Sequence, residues 1–208
     1  MAERARQQIA GSATPEAAIV AALKGRAIVL VGMMGAGKSS IGRRLAHRLE
    51  IPFVDADNEI EIAAGMSIED IFATRGEPEF RAGEARVIAR LLDGGAQVIA
   101  TGGGAFMNAD TRAAIKAKGI SVWLKADFDV LMRRIKRRND RPLLKIGDPE
   151  AKLRELIDLR YPTYALADLI VQSRDVVHEK IVDEMVNVLA KHLGVAGTEP
   201  ASAGDCAS

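Results

Sequence analysis

Gly32-Met33-Met34-Gly35-Ala36-Gly37-Lys38-Ser39 places three glycines, a lysine and a hydroxyl within eight residues. Glycines at this spacing let the backbone curl so that several N–H groups face one anion. A helix opening at Ser39 would add the positive end of its dipole. Lys38 could then reach the outer phosphates of a nucleoside triphosphate, and the Ser39 hydroxyl could ligate magnesium. The pattern is the full G-x-x-x-x-G-K-[ST] phosphate-binding loop. It does not name a reaction. There is no Asn-Lys-x-Asp motif for a guanine base, and the later strand that would end in an acid in an ATPase motor runs into Thr101-Gly102-Gly103-Gly104.

A second set of chemistry-bearing residues follows. Asp55 and Asp57 lie two apart, on one side of an extended chain. Asp57 could take a proton from a hydroxyl while Asp55 steadies a magnesium shell, or both could cap a helix starting near Asn58. Arg81 and Glu84 share a helix face and taken alone read as a surface ion pair. Gly83, inside that helix, hints at close packing. The three glycines from Gly102 read as a turn, or as bare backbone against a ligand. Arg133, Arg134, Lys136, Arg137, Arg138, Arg141 and Lys145 form a basic run that is a solvated face, an RNA patch or a loop closing over phosphates. The scarcity of aromatic residues among them weighs against RNA.

These residues need elements to carry them. Ala27–Val31 is apolar and β-branched, as a buried parallel strand requires. Further strands are expected at Ile51–Asp55, Gln97–Ala100, Ile120–Leu124 and Asp168–Val171. Helices are expected at Ser39–Leu49, Glu77–Leu92, Thr111–Lys118, Phe128–Arg138, Asp148–Arg160 and Val176–His192. Ser67, with Asp70 three residues on, resembles a helix start. Phe80, Val87, Ile88, Leu91 and Leu92 form the core face of the helix from Glu77. Strands alternating with helices predict one α/β domain, a parallel sheet covered on both faces. Residues 1–25 are expected as an N-terminal extension, either a helix or a frayed segment, and 194–208 as a disordered tail.

Composition sets outer bounds. Of 208 residues, 48% are hydrophobic and 27% charged, which excludes wholesale disorder. No apolar run reaches the roughly 18 residues of a membrane span. The net charge of +1 gives no general reason to expect nucleic acid. The single cysteine, Cys206, forms no internal disulfide, so a reducing cytoplasm is the economical location. His47, His178 and His192 make no zinc pattern.

From about Arg26 to Leu193 the chain resembles the shikimate kinases. The motifs, in order, are Gly32–Ser39, Asp55-x-Asp57, Ile71-Phe72 before Gly76-Glu77, Phe80-Arg81-x-x-Glu84, Gly102-Gly103-Gly104, Arg141-Pro142-Leu143-Leu144 and Arg160-x-x-x-Tyr164. The resemblance implies a three-layer P-loop kinase fold, with a five-stranded parallel sheet and a mobile lid over about residues 139–149. It implies MgATP-dependent phosphorylation of the 3-hydroxyl of shikimate, with one Mg2+ per active site, in a monomer with no nucleic-acid or membrane partner. Asp57 would contact substrate hydroxyls and act as base. Arg81 and Arg160 would hold the carboxylate, with Gly103 lending backbone. Gly35, Ala36, Gly37, Lys38, Ser39 and Ser40 would wrap the ATP phosphates, Ser39 would ligate the metal, and Arg141 would meet the phosphates from the lid. Arg174 is a weak candidate for the adenine contact. Ser40 stands where the family more often has Thr. Arginine forks suit a carboxylate and an aspartate suits paired hydroxyls, so these roles make physical sense. The competing readings are a gluconate or nucleoside-monophosphate kinase, and a nucleotide-binding module without turnover.

Overall fold

The computed structural model describes residues 14–137 and 148–195. The expected lid, with Arg141 in it, therefore falls almost wholly outside the described residues. So do Arg138, Lys145, Cys206 and the tail beyond Val195.

Five strands form one sheet: β1 (Ala27–Val31), β2 (Phe53–Asp55), β3 (Val98–Ala100), β4 (Gly119–Lys125) and β5 (Leu169–Gln172), in the order β2-β3-β1-β4-β5. All pairings are parallel. Every residue of β1 is buried. Because strand side chains alternate between faces, a wholly buried strand must be covered on both. The cover comes from α1 (Pro15–Leu23), α2 (Lys38–Leu49), α3 (Ala56–Ala64), α4 (Ile68–Leu92), α5 (Ala109–Lys118), α6 (Phe128–Lys136), α7 (Pro149–Tyr164) and α8 (His178–His192). Helices α1, α2 and α8 pack on one another, while α5 packs on α4 and β4.

Residues 15–23, expected within the N-terminal extension, form a helix whose Ile19 and Leu23 are fully buried in the common core. Thr14 caps that helix and Pro15 sits at its first position, where no backbone donor is needed. Arg48 fastens it to α2 through Glu16, at 2.7 Å.

Helix α4 begins at Ile68, capped by Ser67, whose Oγ accepts from Asp70 N at 3.1 Å. Gly76 (φ 80°, ψ 171°) interrupts it, so the expected helix from Glu77 does exist as a second segment. Pro78 is tolerated because it falls in the first turn after the break. The expected core face of Phe80, Val87, Ile88, Leu91 and Leu92 is buried. Gly83 is not in a tight spot: a Cβ there would meet only Arg86 Nη2, at 3.9 Å.

Candidate active site

The phosphate cradle leaves β1 and enters α2. Gly37 has φ 94° and caps α2, a conformation that favours glycine. The first-turn N–H groups of α2 have no carbonyl ahead of them in the helix, the geometry that suits an anion. Lys38 Nζ lies across the loop, donating to Gly32 O at 2.8 Å and Met33 O at 3.0 Å. Ser39 Oγ donates to Asp55 Oδ2 at 2.6 Å. The other oxygen of Asp55 accepts from Asp57 N at 3.2 Å and caps α3, so both expected uses of Asp55 coexist. Gly35, Gly37, Lys38, Ser39 and Ser40 line one large cleft. Ala36 does not: it is buried, its N–H donates to Met33 O, and its carbonyl accepts from Ser173 Oγ at 2.7 Å.

The same cleft, about 1000 Å³, is lined by Asp57, Arg81, Glu84, Gly102, Gly103, Gly104 and Arg160. Asp57 comes from the first turn of α3, Arg81 and Glu84 from α4, and Arg160 from α7. The glycines follow β3, where Thr101 N and Oγ1 donate to Leu30 O of β1 at 3.2 and 3.0 Å. That ties the glycine turn to the strand that carries the cradle. The N–H groups of Gly102, Gly103 and Gly104 donate to nothing among the described residues.

The glycines are bare for steric reasons. A Cβ on Gly104 would stand 2.5 Å from Arg81 Nη1, and one on Gly102 would stand 2.8 Å from both Asp57 Oδ1 and Glu84 Oε1. Arg160 Nη1 donates to Gly103 O at 3.2 Å. The two arginines, 79 positions apart in sequence, thus meet at one turn.

Arg81 and Glu84 are more than a surface pair. Glu84 is 3% exposed and accepts from Arg81 Nη1 at 2.7 Å, while Glu77 accepts from Arg81 Nε and Nη2 at 3.2 Å. Glu84 Oε1 is buried without a hydrogen-bond partner. Burial pulls the Arg81 guanidinium down, but its two carboxylate partners outweigh that and leave it above its ordinary value. Burial raises the Asp57 carboxyl above the usual aspartate range; Asp55 adds to this, and Lys38 and Arg81 oppose it. Burial raises Glu84 as well, against Arg81.

Beyond the cradle the cleft continues past Arg134, Arg137 and Asp175–His178. Arg134 was hidden in the basic run, and nothing in its spacing singles it out. Its Nη1 donates to Ser173 Oγ at 2.9 Å and to the carbonyls of Gly35 and Ala36, and its Nη2 donates to Arg174 O at 2.6 Å. Part of that run is paired rather than merely solvated, since Arg133 meets Asp175 and Lys136 meets Glu150. The Arg174 side chain pairs with Glu184 and does not line the cleft.

Residues 34–190 match the family model for shikimate kinase. The shikimate kinase of Bradyrhizobium diazoefficiens is 63% identical over 181 residues, covering 87% of each chain. That of Rhodopseudomonas palustris is 59% identical over 200 residues, covering 96% of this chain and 98% of its own. Among solved structures, a shikimate kinase from Acinetobacter baumannii in complex with shikimate aligns with a TM-score of 0.78 at 36% identity, over 83% of this chain and 97% of that one. A gluconokinase from Sinorhizobium meliloti aligns at 0.54 and 19% identity, over 82% and 94%, a likeness of fold alone. A phosphate-binding loop and a cluster of two arginines and two carboxylates in one cleft, together with identities of this size over most of the chain, place it in the shikimate kinase family.

Proposed function

We infer that this chain transfers the terminal phosphoryl group of ATP to the 3-hydroxyl of shikimate, giving shikimate 3-phosphate and ADP. Family membership supports the reaction. The single observation that carries the assignment of residues is the one cleft holding Lys38 and Ser39 at one end and Asp57, Arg81 and Arg160 at the other.

Shikimate is a ring with one carboxylate and three hydroxyls. Arg81 and Arg160 would bind the carboxylate, aided by backbone at Gly103. Asp57 would accept the proton of the 3-hydroxyl as its oxygen attacks the γ-phosphorus and the bond from that phosphorus to the β,γ-bridging oxygen breaks. Lys38 and the cradle N–H groups would steady the phosphate charge. Arg141, from the lid, would add a further cation. The cleft beyond Arg134 would take the nucleoside.

A divalent ion fits this site, because Ser39 and Asp55 bring a hydroxyl and a carboxylate oxygen together beside the cradle, the hard donors magnesium takes. Ser39 would hold one Mg2+ and Asp55 would order its shell; the ion would neutralise charge on the phosphates.

Gluconate shares a polyhydroxy acid character, but a nucleoside monophosphate would bring phosphate charge against Asp57. A module that only binds nucleotide would have no use for Asp57. Coupled assay of ADP release separates these readings: turnover is expected with shikimate and not with gluconate or nucleoside monophosphates. Equal rates with gluconate, or binding of ATP without turnover, would displace the assignment. We further place the enzyme as a cytoplasmic monomer. No helix among the described residues is long and apolar enough to cross a membrane. Sedimentation at assay concentration tests the monomer.

A further inference from the structure

Tyr164 closes the Arg160-x-x-x-Tyr164 motif, and the reading of the cleft gives it no task. It lies one turn beyond Arg160 on the same face of α7 and is fully buried. Its ring is enclosed by Phe106, Trp123 and Tyr161, with centroids 6.5, 5.8 and 6.3 Å away. Phenylalanine would fill that space equally well, so packing does not explain the hydroxyl. A buried hydroxyl is costly unless bonded. This one donates to Gly103 O, the carbonyl that also accepts from Arg160 Nη1. It also lies 4.0 Å from Met33 Sδ, at the root of the phosphate cradle.

A carbonyl oxygen has two lone pairs and can serve both donors. The peptide between Gly103 and Gly104 is planar and trans, so fixing its carbonyl also fixes the Gly104 N–H on the opposite side. Two adjacent glycines offer no side chain to restrict that plane. Something outside the turn has to hold it. Met33 and Trp123 also border β1 and the P-loop glycine Gly32, so the hold is referred to the core beneath the cradle.

We propose that Tyr164 is a positioning residue for the acceptor: its hydroxyl pins the Gly103–Gly104 peptide and, through the shared carbonyl, keeps the Arg160 guanidinium aimed at the substrate carboxylate. This rests on Arg160 and Gly103 being acceptor contacts. Burial pushes the Tyr164 phenol up to about 12, so the hydroxyl stays protonated, and a donor, across the working pH range.

The test is Tyr164→Phe beside Arg160→Lys and the double variant, with shikimate and ATP varied separately and the thermal midpoint recorded. Tyr164→Phe is expected to raise KM for shikimate about three- to tenfold, the scale of one lost hydrogen bond, with KM for ATP within about twofold. Since both side chains act on one carbonyl, the double variant should fall short of the product of the single effects. An Arg160→Lys effect on shikimate KM without a Tyr164→Phe effect overturns the Tyr164 role and leaves the acceptor reading standing. No Arg160→Lys effect removes the acceptor reading, and the Tyr164 role with it. A Tyr164→Phe chain that fails to fold, or melts lower with shikimate KM unchanged, assigns the hydroxyl to stability alone and overturns the proposal.

Discussion

The two ends of the cleft are built from different materials. The donor end is largely backbone, a run from Gly32 to Ser40 in which helix geometry itself supplies the donors. The proposed acceptor end is side chains from three helices around one glycine turn. Backbone amides keep their direction because the helix does, and no ionised group need be buried to create them. The acceptor end has to hold Asp57, Glu84, Arg81 and Arg160 close together and half out of water. Asp57 and Glu84 answer with raised pKa values, and Glu84 Oε1 is left without a partner. If these residues select a small hydroxy acid as proposed, that selectivity carries a cost to the fold that phosphate binding does not incur.

That contrast breaks most plainly at Asp57. Asp57→Asn should cut turnover at least about a hundredfold while leaving KM for ATP nearly unchanged. It should also raise the melting temperature of the ligand-free protein at neutral pH. The folded carboxyl binds its proton more tightly than the unfolded chain does, so stability falls as pH rises from the ordinary aspartate range through the raised value; asparagine removes that loss. A lower melting temperature would mean that Asp57 is not a strained charge.

Arg81→Lys should raise KM for shikimate about tenfold or more, since the fork is lost, without moving KM for ATP. An equal change in both constants would erase the division between the two ends. Gly104→Ala should act on the same constant by several-fold, because its methyl occupies the space 2.5 Å from Arg81 Nη1; steady-state kinetics decides. The acid limb of kcat/KM should lie above the ordinary aspartate value of about 4, and an Asp57→Asn enzyme should lose that limb from its residual activity. Smallest is Gly83→Ala, on the open side of the same helix. It should stabilise by about 0.5–1 kcal/mol in chemical denaturation and leave both Michaelis constants alone.

The donor end was legible because it is local: one motif after one strand. The strands and most helices were legible for the same reason, since periodicity is a property of neighbours. Arg81 and Arg160 were not legible from spacing, as only the closed fold brings them to Gly103 and Gly104; the family resemblance supplied them. For Pro15–Leu23 the sequence left a helix and a frayed extension both open, because the segment is mostly small and apolar without a clear polar face, and only the surface of α2 and α8 decides which side is buried. Gly83 misled because a glycine within a helix looks like a packing constraint, whereas the constrained glycines are in the turn after β3. Arg134 and Tyr164 donate to carbonyls distant in sequence, and although Tyr164 closes a motif, nothing in that motif points to its partner at Gly103.

Thr101 donates twice to Leu30 O, one residue before β1 ends and the cradle begins. Neighbouring strands are held about 4.8 Å apart. The glycine turn and the cradle are therefore tied together at the sheet, which would fix the span between the proposed seats of the polyphosphate and the ring acid. A bisubstrate inhibitor joining the two could carry a short, stiff linker matched to that span, and would spend little entropy finding it.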